Sequence, residues 1–298
     1  MDLRQAQYVI AVVDHGSFTA AAASIPVTQP ALSQSISTLE RDLGAPLFHR
    51  LGRSVRLTPA GEAFVAPARQ MLRDAEVARS AVTAVAGLAA GRLDLVSLPT
   101  LVVEPLVDLV GHFRRASPGV LVRIREPENP ADLLGQVRSG EAELGLGDEV
   151  PDEDQLEGHS IGRQRMLAVL PPGTDLGGSA SLPATRLAAF PLITTPRGTS
   201  TRRLLATALR DRDPSADPAI GVVTEHREAI IPLVMAGAGA AVLPEPLARD
   251  AAVLGATVAP LSPRVDRDVV LVHRRGAMSP AAQAFRALAL GNKNRANE

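Results

Sequence analysis

Polar side chains of a kind that can contact base edges follow one face of the segment TQPALSQSISTLERDLG, residues 28–44. Hydroxyls and amides near a helix N-terminus can donate to and accept from the edges of base pairs. The other face carries apolar residues at helical spacing and predicts one buried stripe: Leu32, Ile36, Leu39 and Leu43. Thr28 is the predicted N-cap, and Pro30 falls in the first turn, where its missing N–H costs nothing.

The chain before this segment predicts two more helices. Leu3–His15 has apolar residues at helical spacing, and Gly16 follows as a C-cap. Ser17 is the predicted N-cap of a second, short helix, Phe18–Ser24. A helix, a tight turn and a further helix with an exposed polar face indicate a helix-turn-helix plan.

The residues after Gly44 predict a small hairpin, or wing. Two short apolar runs flank a turn at 51–54, and Arg50, Arg53 and Arg56 alternate outward. The whole chain carries 31 Lys and Arg against 32 Asp and Glu, a net charge of −1. Because no global basic field is present, any contact with nucleic acid must be local.

A long helix is predicted from Thr58, an N-cap followed by Pro59, to about residue 86, with a bend at Pro67. Heptad spacing along it predicts a dimerisation seam. The seam comprises Phe64, Ala68, Met71, Ala75, Ala78, Val82 and Val85. The alternative, that the helix packs within its own domain, remains open at this point.

Residues 87–91 predict a hinge, and beyond Arg92 strands alternate with helices. This order predicts a largely parallel α/β sheet with ligands at the carboxyl ends of the strands. The predicted strands are 93–98, 120–125, 144–146, 166–170, 192–194, 220–223, 240–243, 258–261 and 269–273. Predicted helices between them include 104–116, 131–139, 200–212 and 225–236, and 291–298 is predicted to be a disordered polar tail.

The chain resembles the LysR-type transcriptional regulators. The resemblance rests on GSFTAAA, VTQPALSQSISTLERDLGAPLFHR and VRLTPAGE in the N-terminal part, and on RLDLVSLPTL, RSGEAELGLG and GAGAAVLPEPLA further on. It covers essentially the whole chain. It implies a multi-domain protein with an N-terminal all-α winged helix-turn-helix, a long linker helix, and a C-terminal α/β effector-binding domain of two lobes, like periplasmic solute-binding proteins.

For this sequence the resemblance implies three parts. Residues 1–58 would bind double-stranded operator DNA, 59–90 would form the linker and dimerisation helix, and 91–298 would bind a small-molecule effector. Lobe one would comprise 92–162 and 267–298, and lobe two 163–266. The implied assembly is a dimer or a dimer of dimers, with RNA polymerase as a further candidate partner.

Carried over residue by residue, the resemblance assigns base or phosphate contacts to Thr28, Gln29, Pro30, Ser33 and Gln34. It assigns backbone or minor-groove contacts to Arg50, Arg53 and Arg56. Gln34 departs from the family, which often has Arg there. We therefore expect a weaker dependence of DNA binding on salt than is usual for the family.

Residues at predicted strand-to-helix junctions are the candidate effector contacts. Helix N-termini with hydroxyls or amides suit a small anion such as a carboxylate, and flanking arginines add charge-assisted hydrogen bonds. The candidates are Pro99, Thr100, Asn129, Arg197, Gly198, Thr199, Ser200, Thr201, Thr224 and His226, with Arg202 beside them. Each of these residues could instead do no more than cap a helix.

Several chemistries are excluded or disfavoured by the sequence. It has no cysteine, which excludes disulfides, thiolate metal sites and thiol redox sensing. The histidines show no HExxH motif or close pairing, so we expect no metal site: His15, His49, His112, His159, His226 and His273. No nucleophile elbow or P-loop is present, so we expect no catalytic activity and no cofactor.

The remaining expectations concern location and rival functions. With no signal peptide and no apolar run of about 20 residues, we expect a cytoplasmic protein without a membrane span. A stand-alone solute-binding protein is the second hypothesis and would be favoured by a secretion signal. An enzyme on the same α/β scaffold is the third.

Overall fold

The structure, a computed structural model, describes residues 1–51, 54–85, 91–210 and 219–296. The helices are α1 (Leu3–His15), α2 (Phe18–Ser24), α3 (Gln29–Leu43), α4 (Pro59–Val85), α5 (Pro99–Leu101), α6 (Val107–Ala116), α7 (Pro130–Ser139), α8 (Ala184–Leu187), α9 (Ser200–Arg210), α10 (Ile230–Met235), α11 (Glu245–Val253) and α12 (Pro280–Ala296). The strands are β1 (Phe48–Leu51), β2 (Ser54–Leu57), β3 (Gly91–Ser97), β4 (Val120–Arg125), β5 (Leu144–Gly147), β6 (Leu156–Leu170), β7 (Leu182–Pro183), β8 (Leu192–Thr194), β9 (Ile220–Val223), β10 (Ala241–Pro244) and β11 (Thr257–Arg274).

The first three helices have the predicted bounds and pack around one small apolar core. Gly16 ends α1 in the left-handed conformation (φ 67°), and the Ser17 side chain caps α2 by accepting a hydrogen bond from the Ala20 N–H. In α3, Leu32, Ile36 and Leu39 are fully buried, as predicted. The prediction for Leu43 is wrong: it is 42% exposed, because α3 ends there and Gly44 turns the chain away.

The wing is fixed to both α3 and α4. The Glu40 carboxylate at the end of α3 accepts hydrogen bonds from the backbone N–H groups of Leu47 (2.8 Å) and Phe48 (3.3 Å). The buried Thr58 hydroxyl donates to the Pro46 carbonyl (2.6 Å) and accepts from the Gly61 N–H (3.0 Å). A Cβ at Gly61 would lie 2.1 Å from the Leu47 carbonyl oxygen, so only glycine permits this approach.

The C-terminal part is built on two long antiparallel strands. The sequence predicted short strands at 166–170, 258–261 and 269–273. In the structure β6 already begins at Leu156, β11 runs without a break from Thr257 to Arg274, and the two strands pair along most of their length. The main sheet has the order β10-β6-β11-β5-β3-β4. It is mixed rather than largely parallel, because β6 and β11 are antiparallel to each other and to β10 and β5, respectively.

Each half of the long strands belongs to a different apolar core, which defines two lobes. Leu156 and Ile161 of β6 pack in the core of lobe one with β3, β5, α7 and α12. Met166 and Leu170 pack in the core of lobe two with β10 and α9. β11 changes core in the opposite direction, so both long strands run from one lobe to the other.

Two further predictions differ from the structure. The helix predicted at 104–116 begins only at α6, because Glu104 has extended backbone angles (φ −153°, ψ 132°) next to Pro105. The tail predicted to be disordered is helical as far as Ala296, as the last part of α12. In the described ranges, no helix combines the length and the apolar character that a bilayer span requires.

Candidate functional site

The N-terminal half of α3 presents its polar residues to solvent. Thr28, Gln29, Pro30 and Gln34 are exposed, and Ser33 is half-buried. Thr28 occupies the N-cap position, as predicted, but its side chain makes no capping hydrogen bond. The buried stripe fixes this polar face on the outside of the domain.

The wing is attached to the C-terminal end of the same helix, through the hydrogen bonds that Glu40 accepts. Its register pairs Arg56 with His49 and Arg50 with Val55, and the Arg56 side chain is exposed. The Arg50 side chain and the whole of Arg53 lie outside the described residues, so their contacts with DNA stay predictions. Among the three predicted wing arginines, Arg56 is the one whose side chain the structure describes.

The predicted dimerisation seam divides into two parts. Phe64 and Ala68 pack against Ala6 and Ile10 of α1, and Ala68 has no exposed surface. Ala68 is therefore a core residue of its own chain, in line with the alternative left open by the sequence. Further along α4 the seam becomes accessible: Met71 and Ala75 are half-buried, Ala78 is exposed and Val82 is 72% exposed, while the Val85 side chain lies outside the described residues.

A small cleft between the lobes brings most of the predicted effector residues together. Lobe one contributes the junctions after β3 and β4, and lobe two contributes the start of α9. The lining comprises Leu98, Pro99, Thr100, Pro127, Glu128, Asn129, Pro130, Thr199, Ser200, Thr201 and Arg227. The structure therefore brings three of the predicted junctions to one cleft, although Asn129 also caps α7 by accepting from the Asp132 N–H (3.0 Å).

The other predicted contacts lie outside this lining. Arg197, Gly198 and His226 are exposed, and Thr224 accepts a hydrogen bond from the His226 N–H (3.0 Å) within a local turn. Arg227, the neighbour of His226, faces the cleft instead. The sequence pattern thus identified the loop after β9, but not Arg227, the residue of that loop whose side chain lines the cleft.

Ion pairs join the lobes on both sides of the cleft. The buried Asp148 carboxylate, which follows β5 in lobe one, accepts hydrogen bonds from the Ser200 hydroxyl and from Arg203 Nη2 (3.0 Å) on α9 in lobe two. On the other side, Arg227 Nη1 lies 2.8 Å from the Glu126 carboxylate. The donors at the start of α9 are thus satisfied by a carboxylate of the chain itself.

A buried cation, Arg267, lies close enough to Asp148 for their charges to attract. Its Nε and Nη2 donate to Gln164 Oε1 at 2.9 and 2.5 Å, while its Nη1 has no hydrogen-bond partner among the described residues. Burial lowers the pKa of Arg267 to about 10, and the charge of Asp148 opposes this effect. Arg267 is therefore charged at neutral pH. No strand was predicted at this position, because the strands predicted at 258–261 and 269–273 leave residue 267 between them, whereas β11 runs through it.

A polar junction joins α4 to lobe one. Arg69 lies 2.5 Å from Asp14 of α1 and 3.5 Å from Glu141, and Arg73 donates to the Gly140 carbonyl (2.8 Å). Burial, then the nearby charge of Arg274, lowers the pKa of Arg73 to about 9. A Cβ at Gly140 (φ 78°) would lie 1.5 Å from Arg73 Nη1, so glycine is required for this contact.

Two histidines that are far apart in the sequence lie close together in the fold. His159 and His273 are 114 positions apart in sequence, yet their Nε2 atoms lie 3.2 Å apart. They meet because β6 and β11 are neighbouring strands, a pairing that sequence spacing could not reveal.

Comparison with known proteins identifies both parts of the chain. Residues 3–62 match the family model for bacterial regulatory helix-turn-helix proteins of the lysR family, and residues 86–293 match the LysR substrate binding domain. The SDS degradation transcriptional activation protein of Pseudomonas sp. (strain ATCC 19151) is 32% identical over 298 residues, covering 97% of this chain and 95% of that protein.

Solved structures show the same architecture. A full-length OxyR variant from Pseudomonas aeruginosa has a TM-score of 0.80 at 25% identity and covers 99% of this chain and 95% of its own. CbnR complexed with its target DNA has a TM-score of 0.67 at 23% identity, with coverage of 98% and 100%. The effector-binding domain of QuiR in complex with shikimate has a TM-score of 0.61 at 20% identity and covers 69% of this chain and 98% of its own.

These relatives are regulators rather than enzymes, and the family models account for the helix-turn-helix and the lobed domain alike. The chain therefore belongs to the LysR family of DNA-binding transcriptional regulators.

Proposed function

We propose that this regulator recognises its operator through the N-terminal half of α3 and the wing, and that a small anion bound between the lobes controls that binding. The proposed parts are 1–58 for DNA, 59–90 for dimerisation and 91–298 for the effector. Lobe one would comprise 92–162 and 267–298, and lobe two 163–266. No thiol switch is available to this chain, because its sequence has no cysteine.

The exposed start of α3 carries the DNA part of the proposal. Gln29 and Gln34 offer amides that can pair with adenine, and Pro30 offers an apolar surface to a thymine methyl group. The hydrogen bonds that Glu40 accepts from the wing hold Arg56 in a fixed position relative to α3. One rigid unit can therefore contact base edges and backbone together.

The test is a titration of full-length protein against the DNA upstream of its own gene and against random DNA, at several salt concentrations. We expect Gln29→Ala to weaken only the specific binding, by about 1–3 kcal/mol. We expect Arg56→Gln to weaken both and to reduce the salt slope by about one ion.

Gln7→Ala is the matched control, because Gln7 is an exposed glutamine on α1. It should bind like wild type. If Gln29→Ala weakened specific and random binding equally, α3 would not be the element that reads sequence. If wild type showed no preference for its upstream DNA, the operator would have to be sought elsewhere.

The proposal of an anionic effector rests on hydrogen-bond donors at the start of α9 that already bind a carboxylate. Ser200 and Arg203 already bind one carboxylate, that of Asp148, and the N-terminus of α9 adds the positive end of its dipole. Arg227 lines the same cleft, and Arg267 contributes a buried charge near Asp148. An effector carboxylate would compete with Asp148 for these donors and thereby change how the lobes close.

Thermal stabilisation by a panel of small carboxylates, each paired with its primary amide, tests this part. We expect carboxylates alone to raise the melting temperature of wild type, and Arg227→Gln to reduce the shift. Arg249→Gln, an exposed arginine on α11 away from the cleft lining, is the control. Amides that bind as well as their acids would exclude an anion site.

A further inference from the structure

Three potential metal ligands converge in lobe one, away from the residues of the proposed function. Glu157 and His159 lie on β6, and His273 lies opposite Glu157 on β11. A pair of residues directly opposite each other in a sheet shares one face, and so do residues two apart on a strand. All three side chains therefore point to the same side of the sheet.

The hydrogen bonds of the two imidazoles determine which ring nitrogens carry lone pairs. His273 Nδ1 lies 2.7 Å from the Arg274 carbonyl, which can only accept, so Nδ1 is the donor. His159 Nε2 lies 3.0 Å from Arg286 Nη2, which can only donate, so this nitrogen is an acceptor. In the neutral rings, both Nε2 atoms thus carry lone pairs that face each other.

The distances between these atoms match the edge of a tetrahedral zinc site. Zn–N bonds of about 2.0–2.1 Å separate neighbouring donor atoms by about 3.3 Å. The two Nε2 atoms are 3.2 Å apart, and Glu157 Oε1 is 3.1 Å from His159 Nε2. The backbone carbonyl bonded to His273 Nδ1 is also the usual partner of a metal-bound imidazole, because it fixes the tautomer.

We propose that Glu157, His159 and His273 bind one Zn²⁺ ion, with a water molecule as the fourth ligand. His273 is 3% exposed, whereas the His159 and Glu157 side chains are 26% and 40% exposed, so the site is anchored in the core and open to entry from solvent. A bound ion would join β6 to β11 within lobe one. This site is independent of the anion-binding cleft and of the DNA surface.

Arg286 on α12 opposes this binding. Its guanidinium donates to the lone pair of His159 that the metal would use, and its Nε is buried without a hydrogen-bond partner among the described residues. Zn²⁺ must displace this cation, since the two positive charges repel each other. Removing the guanidinium should therefore tighten zinc binding.

The experiment measures Zn²⁺ binding to the tag-free, full-length chain by competition with a chromophoric chelator, and Co²⁺ binding by its absorption spectrum. We expect one equivalent per chain, a tetrahedral Co²⁺ spectrum, and at least a tenfold loss of affinity in His159→Ala and His273→Ala. Arg286→Met should gain affinity, a result that misfolding cannot produce. His112→Ala, an exposed histidine on α6, should match wild type.

Two outcomes would overturn the proposal. One is a Zn²⁺ affinity that is unchanged both in His159→Ala and in Glu157→Gln, a substitution of a partly exposed side chain. The other is an Arg286→Met variant that folds, as shown by circular dichroism, and binds Zn²⁺ no better than wild type. In either case the three side chains would be neighbours that share no metal ion.

Discussion

Glu143 is a carboxyl group whose charge is disfavoured by its position before β5. Burial raises its pKa above the ordinary value of 4.5, although the Ser279 hydroxyl donates to it (3.0 Å) and Arg274 attracts its charge. Folding therefore favours the protonated form. The stability that this preference contributes is complete below pH 4.5 and is lost as the pH rises through the raised pKa.

Glu143→Gln tests this effect at the level of a single residue. The amide stays neutral, so the variant should be more stable than wild type at pH 7, and the difference should vanish as the pH falls below 4.5. Urea unfolding at a series of pH values measures it. Glu141→Gln, which removes the partner of Arg69, should instead destabilise the protein at pH 7. A variant at position 143 that is less stable at neutral pH would contradict the argument.

Individual site residues were predictable where a local pattern marks them, either one face of a helix or a strand-to-helix junction. Thr28, Gln29, Pro30 and Gln34 lie on a single helix, so helical spacing alone places them on one exposed face. Asp148, Arg227 and Arg267 come from different elements and meet only after folding. Nothing in their local sequence distinguishes them from ordinary surface arginines and aspartates.

At the scale of elements, the second half of α4 leaves apolar surface exposed among the residues that the structure describes. Val82 is 72% exposed, whereas Ala68, on the same heptad pattern, is completely buried against α1. A large exposed valine on a heptad seam is what a helix-to-helix dimer would bury. The seam available to a second chain thus begins near Met71.

Val82→Asp should weaken self-association. Each dimer would lose two buried valines and gain two facing carboxylates, so we expect the dimer dissociation constant to rise by about tenfold or more. Sedimentation equilibrium measures the change. Ala66→Asp is the control, because Ala66 is exposed on the same helix but off the seam. An unchanged dissociation constant for Val82→Asp would place the dimer interface elsewhere.

The observed helices and strands agree with the sequence predictions where helix caps and hydrophobic periodicity define them. The bounds of α1, α2, β4, β8 and β9 agree with the predictions. The long strands β6 and β11 did not, since their crossing segments are polar and partly exposed between two cores. Alternation of apolar and polar residues stops there although the strands continue, so the sequence pattern predicted only the last part of β6 and divided β11 into two strands.

At the scale of the whole molecule, β5 connects the cleft to the linker helix. Asp148, at its carboxyl end, joins the lobes through Ser200 and Arg203. Just before its amino end, Gly140 and Glu141 contact Arg73 and Arg69 of α4. All four residues of β5 are buried, so the strand can transmit a displacement over about 13 Å. A change at the cleft should therefore reach α4 and, through it, the DNA-binding domain.

A double-mutant cycle between Asp148→Asn and Arg73→Met tests this connection without an effector. Asp148→Asn weakens lobe closure, and Arg73→Met removes the contact through which β5 would act on α4. We expect their effects on operator affinity to be non-additive by at least about 0.5 kcal/mol, the usual threshold for coupled residues. Arg138→Met is the control, since Arg138 pairs with Glu153 (2.6 Å) within lobe one and is not part of the cleft lining.

The two mutant cycles, of Asp148→Asn with Arg73→Met and with Arg138→Met, distinguish transmission through β5 from a general loosening of lobe one. If lobe one were merely destabilised by any lost ion pair, Asp148→Asn would couple to Arg138→Met as strongly as to Arg73→Met. Additivity with Arg138 and coupling with Arg73 would instead assign the signal to the contact between Gly140 and α4. Additivity in both pairs would mean that cleft and linker act independently, and the effect of an effector on DNA would then have to pass through another copy of the chain.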